Sequence, residues 1–285
     1  MKVLVTGATG FIGNYVIQEL LERDHMVIAT STNKENAEKK KWFSRVNYIP
    51  FDLGGYDNSV NYFDFFNQPD CMIHLAWEGL PNYKDSFHIE VNLPRHLQFL
   101  NNLISNGLSD LTVTGTCFEY GMQEGSLDEE MPSLPQNSYG IAKNRLRELL
   151  EKLSKEKDFN FKWARLFYMY GEGQNPKSLF SQLDKAINAG EPVFNMSGGM
   201  QTRDYLPVSK VAEYIVSIAL QKKVDGIINC CSGLPVKILD LVNEYLRSKG
   251  AAIKLNPGYY PYPDYEPMHF WGSNKKLLKA LSVQD

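Results

Sequence analysis

Cysteine is scarce in this chain: four among 285 residues, Cys71, Cys117, Cys230 and Cys231, with no CxxC pair and no histidines at zinc-finger spacing. That excludes a disulfide scaffold and a zinc module, and no metal site is expected. All four lie in or beside apolar strand-like runs, where they read as buried thiols in a reducing compartment. Cys230 and Cys231, adjacent on one strand, should face opposite ways. A field of one sign is also missing: 30 Lys and Arg against 33 Asp and Glu leave a formal net charge of −3, interspersed along the chain. Nothing there would hold a nucleic acid backbone. No apolar run is long enough to span a bilayer. The first strand-like run begins at Lys2 and leaves no room for a leader peptide, so the expectation is a cytoplasmic protein with no membrane partner.

What is present is ordinary globular composition, 43% hydrophobic and 22% charged, which places the chain with self-folding domains rather than disordered ones. Short β-branched runs at 2–6, 26–30, 46–51, 71–76, 111–115, 161–166 and 226–230 alternate with helical patterns. Seven such runs predict an α/β fold with a doubly wound parallel sheet. The stretch FIGNYVIQELLERD carries Ile12, Val16, Ile17, Leu20 and Leu21 at helical spacing, and a long amphipathic helix is predicted over 139–157. After about residue 170 the texture turns to Gly, Pro, Asn and aromatics. The division expected is a dinucleotide-type domain over 1–170, rejoined by 205–232, and a smaller C-terminal substrate lobe from 171–204 and 233–285. The Tyr- and Pro-rich stretch 251–269 is either a cover for that lobe's ligand or plain packed surface.

Directly after the first strand comes GATGFIG, placing Gly7, Gly10 and Gly13 in a GxxGxxG pattern that opens a helix. Gly7 permits the tight turn, Gly10 lets the backbone approach a pyrophosphate, and Gly13 lets the helix lie close on the sheet, while the helix N-terminus offers unpaired N–H groups to an anion. The second strand lacks the acid that usually ends it and binds the adenosine ribose of NAD: the sequence reads VIATSTNK, with Ser31 and Thr32 there and Lys34 beyond. No carboxylate repels a 2′-phosphate, so NADP(H) is expected over NAD(H), with Lys34 as its partner or as a solvated loop lysine. Asp52 in FDLGG is either an acceptor for the adenine amino group or a loop cap.

SYGIAK supplies Tyr139 and Lys143 at i, i+4, phenol and ammonium on one helix face. A lysine cation there would favour the phenolate and let Tyr139 exchange a proton with a carbonyl or hydroxyl oxygen. Thr116, at the end of the fifth strand in VTGTCFEYG, is the hydroxyl expected to hold that oxygen, with Thr114 the fallback.

These segments, with HLAW, ARLFYMYGEGQ and RDYLPVSKVAEYI, resemble the extended short-chain dehydrogenase/reductases, the NAD-dependent epimerase/dehydratase family, over nearly the whole chain. The resemblance implies a Rossmann fold and a dinucleotide loop of Gly7, Thr9, Gly10, Phe11, Ile12 and Gly13. It also implies an adenine contact at Asp52 and Leu53, a cofactor wall of Leu75, Ala76 and Trp77, and a catalytic set of Thr116, Tyr139 and Lys143. Arg203 resembles the arginine that grips a sugar nucleotide's diphosphate, unless it pairs with Asp204 or another acid. Where members commonly have HLAA this chain has HLAW, which places Trp77 and Glu78 at the mouth of the expected sugar pocket, Glu78 either binding sugar hydroxyls or sitting in a polar loop. The 4,6-dehydratases carry Asp-Glu after the catalytic Thr, but Cys117 and Phe118 stand here, so dehydration is not expected. The resemblance thus implies a nucleotide-sugar substrate, with NADPH-dependent reduction of an NDP-4-keto-6-deoxyhexose as the first reading. An NAD-dependent 4-epimerase is the alternative and a non-catalytic NADP(H) sensor the lesser one. Helices at 93–106 and 139–157 resemble those that pair in dimeric members, so a homodimer is expected.

Overall fold

A computed structural model describes residues 1–282. Seven parallel strands form one sheet: β1 (Lys2–Thr6), β2 (Met26–Thr30), β3 (Asn47–Tyr48), β4 (Cys71–His74), β5 (Asp110–Thr116), β6 (Asn160–Leu166) and β7 (Gly226–Cys230), in the order β7-β6-β5-β4-β1-β2-β3. The chain order reverses at β1, which is flanked by β2 on one side and β4 on the other. In open parallel sheets the crevice beyond the strand ends at that reversal is where ligands sit.

Every residue of β4 and β5 is buried, as a sheet covered on both faces requires. Alternation along β1 divides its side chains. Val3 and Val5 join Val16, Ile17 and Leu20 of α1 (Phe11–Glu22) and Val211, Ile215 and Ile218 of a later helix (Val208–Leu220) in one core. Leu4 faces the other layer, with Phe99, Leu100 and Leu103 of α2 (Leu93–Ser105) and Leu146 and Leu150 of α3 (Ser138–Glu156). The result is a three-layer α/β/α domain of the Rossmann type. A separate small core of Phe180, Leu183, Phe194, Met196, Val242 and Leu246 belongs to the later part of the chain.

Several expectations need correction. The third strand shrinks from 46–51 to Asn47–Tyr48 because Pro50 has no N–H to give the ladder, although Ile49 and Phe51 still donate to Ala29 and Ser31. The fourth stops at His74, because the N–H groups of Leu75 and Ala76 turn to the Thr6 hydroxyl at 3.2 and 3.3 Å. The end of the chain does not stay with the lobe: Leu277 and Ala280, on a helix over Lys275–Leu281, pack into the α1 side of the main core. Leu146 and Leu150 of α3 are fully buried in the core on the far face of their own sheet. All four cysteines are buried free thiols, with Cys230 in the α1-side core and Cys231 beside Phe167 and Phe270. No helix among the described residues is long and apolar enough to cross a membrane.

Candidate active site

The strand ends around the reversal carry most of the residues singled out in the sequence. Gly7 has φ +66, where a side chain is strained, and a Cβ there would stand 2.9 Å from the Ala76 nitrogen. A Cβ on Gly13 would stand 2.2 Å from the Gly7 carbonyl oxygen, so α1 reaches the sheet only because that position is glycine. The helix begins at Gly10 with no side chain capping it, so its first N–H groups stay open to a ligand.

Two adjoining cavities, of about 240 and 400 Å³, share Gly7, Gly10, Leu75 and Trp77. Into the first come Thr9, Ser31, Thr32, Leu53, Ala76 and Glu78. Around the second stand Phe11, Ile12, Gly13, Thr116 and Tyr139, with Leu80, Tyr83, Phe118 and Phe167. Glu78 lines the glycine-turn cavity and not the second. A Cβ-free turn, open helix N–H groups and a hydroxyl-lined far wall fit a dinucleotide's pyrophosphate and ribose.

Four expected residues lie off both cavities. Lys34 starts a short helical turn, exposed, 3.8 Å from Glu38. The Asp52 carboxylate caps the turn, accepting the Gly54 N–H at 2.8 Å through one oxygen. Arg203, only 3% exposed, pairs with Glu266 at 3.0 Å and donates to the carbonyls of Thr202 and Met268. Asp204 is not its partner: that carboxylate receives the N–H groups of Ser232 and Gly233. Lys143 lies one layer beneath the cavities, its ammonium donating to the Thr114 carbonyl at 2.9 Å under the Trp77 ring at 4.1 Å.

Tyr139 sits among the rings of Trp77, Tyr83, His88 and Phe118. Burial pushes its phenol above the ordinary value, with Tyr83, Glu119 and Cys117 adding to the rise, while its hydrogen bond with Thr116 works the other way. The expectation that Lys143 supplies the opposing charge is not met in this state. Burial pushes Lys143 down to about 7, against the pull of Glu119, and its ammonium is directed at Thr114 and Trp77.

That depressed value has a stability consequence. The unfolded chain holds the proton up to 10.5 and the folded chain only to about 7, so folding is opposed fully below 7 and progressively less towards 10.5. Replacing Lys143 by Met should therefore raise the unfolding temperature below pH 7, by the equivalent of about 1–3 kcal/mol. The gain should fade as pH approaches 10.5. Calorimetry across that range checks it: an unchanged or lower Tm below pH 7 would show that the buried charge is already compensated.

The sequence reading passed over Glu119. Its carboxylate, fully buried, accepts the Thr116 N–H at 2.8 Å, the Trp163 indole N–H at 3.0 Å and the Arg165 Nε–H at 2.9 Å. Thr116 and Glu119 form a capping box on the turn Cys117–Tyr120. The T-x-x-E spacing was visible in the sequence and is the signature of that motif.

The sequence profile of the NAD dependent epimerase/dehydratase family matches residues 3–231. Among relatives, the dTDP-6-deoxy-L-talose 4-dehydrogenase (NAD(+)) of Aggregatibacter actinomycetemcomitans is 31% identical over 96% of this chain and 100% of its own length. The dTDP-4-dehydro-6-deoxyglucose reductase of Escherichia coli is 24% identical over 88% and 83%. Among solved structures, the UDP-glucuronic acid 4-epimerase of Bacillus cereus, in complex with UDP-glucuronic acid and NAD, superposes with a TM-score of 0.83. It is 25% identical and covers 100% of this chain and 94% of its own. The glycine turn, the Thr116–Tyr139 pair and these matches agree: the chain is an enzyme of the NAD dependent epimerase/dehydratase family.

Proposed function

We propose that this enzyme carries out NAD-dependent hydride chemistry at C4 of a nucleotide-activated sugar, with 4-epimerisation as the net reaction. The observation that carries it is that the Thr116 and Tyr139 hydroxyls belong to the wall of a cavity that shares Gly7 and Gly10 with the glycine-turn cavity. Bound NAD supplies the acceptor, and then the donor, of hydride. Tyr139 removes the C4 hydroxyl proton during oxidation and returns it during reduction, while Thr116 holds the oxygen between the two steps. Epimerisation supports the NAD assignment, since the cofactor is restored in each cycle. The NAD-bound 4-epimerase of like fold supports the same reading.

The NADP(H) preference expected from the sequence leaned on Lys34, which lies off the cavity. Ser31 and Thr32 remain on its wall without a carboxylate. We therefore propose NAD as the cofactor, with NADP tolerated, and expect their dissociation constants to fall within about tenfold of each other, ~1.4 kcal/mol.

A second reading is one-way oxidation or reduction at C4 of a 6-deoxyhexose. It is supported by the Aggregatibacter relative and by the second cavity. That cavity offers Leu80, Pro81, Phe118, Phe167 and Met169, and among the described residues no lysine or arginine lines it. Such a wall suits a C6 methyl better than a carboxylate. Purified protein given UDP-, dTDP-, GDP- and CDP-sugars with NAD, and their 4-keto-6-deoxy forms with NADH, separates the two. Inversion at C4 with no net change in NADH marks the epimerase; stoichiometric NADH formation or consumption marks the one-way enzyme. Neither change with any sugar overturns the proposal.

A further inference from the structure

Three polar side chains stand in line behind the glycine-turn cavity. The Thr6 hydroxyl, at the end of β1, lies 2.8 Å from His74 Nδ1, at the end of β4, and His74 Nε2 lies 2.7 Å from His96 Nδ1, on α2. All three are nearly or fully buried, His74 at 0% and His96 at 1% exposure.

The proton directions along this line are fixed by counting. The Thr6 oxygen already accepts the N–H groups of Leu75 and Ala76, which uses both of its acceptor positions. Its own hydrogen therefore goes to His74 Nδ1. A neutral His74 then carries its proton on Nε2 and donates it to His96 Nδ1, and a neutral His96 carries its proton on Nε2. Both rings are held neutral: burial lowers each below its ordinary value, joined at His74 by Lys143 and at His96 by His74, Lys143 and Arg95.

His96 is part of the cavity wall, its ring stacked on Trp77 with centroids 4.6 Å apart and planes 16° from parallel. With Nδ1 taken by His74, Nε2 is the ring's remaining polar atom, and no hydrogen bond from it to a protein group is found among the described residues. A three-member relay that ends in a donor with no protein acceptor, on a ring that lines the cavity, is placed to meet an acceptor that arrives there.

We infer that His96 is a cofactor-contacting residue, its Nε2–H donating to a ribose or phosphate oxygen of the pyridine dinucleotide. This rests on the dinucleotide reading of the cavity above and adds a residue from α2, outside the glycine turn and the strand ends. The relay presents a neutral donor and no acceptor, so the group it meets is one that accepts through a lone pair rather than donating an N–H or O–H.

Protein labelled with ¹⁵N-histidine provides the test, using NADH as the probe. In the free protein, long-range ¹H–¹⁵N spectra should show His74 and His96 both as neutral Nε2–H tautomers. Saturating NADH should move the His96 Nε2 resonance and slow exchange of its proton with water. His96→Phe keeps a ring on Trp77 and should weaken NADH binding about tenfold. NADH binding with the His96 resonance and its exchange rate unmoved overturns the inference, and that readout decides the matter should the Phe variant fail to fold. Failure of the wild-type protein to bind any pyridine dinucleotide overturns the functional reading itself.

Discussion

Tyr139→Phe should lower turnover by about 10²–10⁴-fold while leaving the fold and dinucleotide affinity unchanged. The substitution removes one oxygen. The ring stays in its place between Trp77, Tyr83, His88 and Phe118, and the backbone N–H of residue 139 still donates to the Tyr83 carbonyl at 3.0 Å. What is lost is the hydroxyl that shares the second cavity's wall with Thr116 and, in the proposed reaction, exchanges the C4 hydroxyl proton. Single-turnover kinetics with a competent nucleotide sugar, beside the dissociation constant of NADH, measure both halves of the claim. Retention of more than about a tenth of wild-type turnover would remove Tyr139 from its role.

The raised phenol gives the two half-reactions opposite needs. Reduction requires the protonated form, which predominates throughout the neutral range when burial holds the phenol above its ordinary value. Oxidation requires the phenolate, whose fraction grows tenfold for each unit of pH below that raised value. Oxidation of the sugar should therefore accelerate with pH across the neutral range while reduction stays flat, and the slope should vanish in Tyr139→Phe. Lys143 bears on this through its own state: above about 7 its ammonium is largely discharged in the free protein. A bound dinucleotide's negative charge would restore it, bringing a cation beneath Trp77 when the phenolate is needed.

The glycine turn was legible in the sequence because its constraints are local. Gly7 needs φ +66, and Gly13 must lie against Gly7 itself, so the residue types announce the geometry. Tyr139 and Thr116 were legible for a related reason, the helix face and the strand end that place them. Residues that choose among partners were not. Arg203 meets Glu266, 63 positions away, and a guanidinium in sequence carries no mark of which acid it will find. Lys34 is exposed, 3.8 Å from Glu38 one turn on, and lines neither cavity. His74 and His96, 22 positions apart on a strand and a helix, become a relay only when α2 packs on the sheet. Glu119 is a different case, since the T-x-x-E spacing was present and went unread.

Glu119→Ala should be the most destabilising single change in the site, by about 3–5 kcal/mol, which at about 2 °C per kcal/mol lowers Tm by roughly 6–10 °C. Both carboxylate and guanidinium are fully buried, 2.9 Å apart, so removing the acid leaves Arg165 as an uncompensated interior cation and strands the Trp163 and Thr116 N–H groups. Converting the pair together, as Glu119→Leu with Arg165→Met, should recover most of that loss, because no isolated charge remains. Activity should not return with it. The Thr116 N–H still lacks its acceptor at 2.8 Å, and the turn that aims the Thr116 hydroxyl at Tyr139 is no longer closed by its capping box. Thermal unfolding and turnover of the single and double variants, measured side by side, distinguish the roles. If the double variant regains activity together with stability, Glu119 serves only to neutralise Arg165; if stability returns alone, Glu119 positions Thr116.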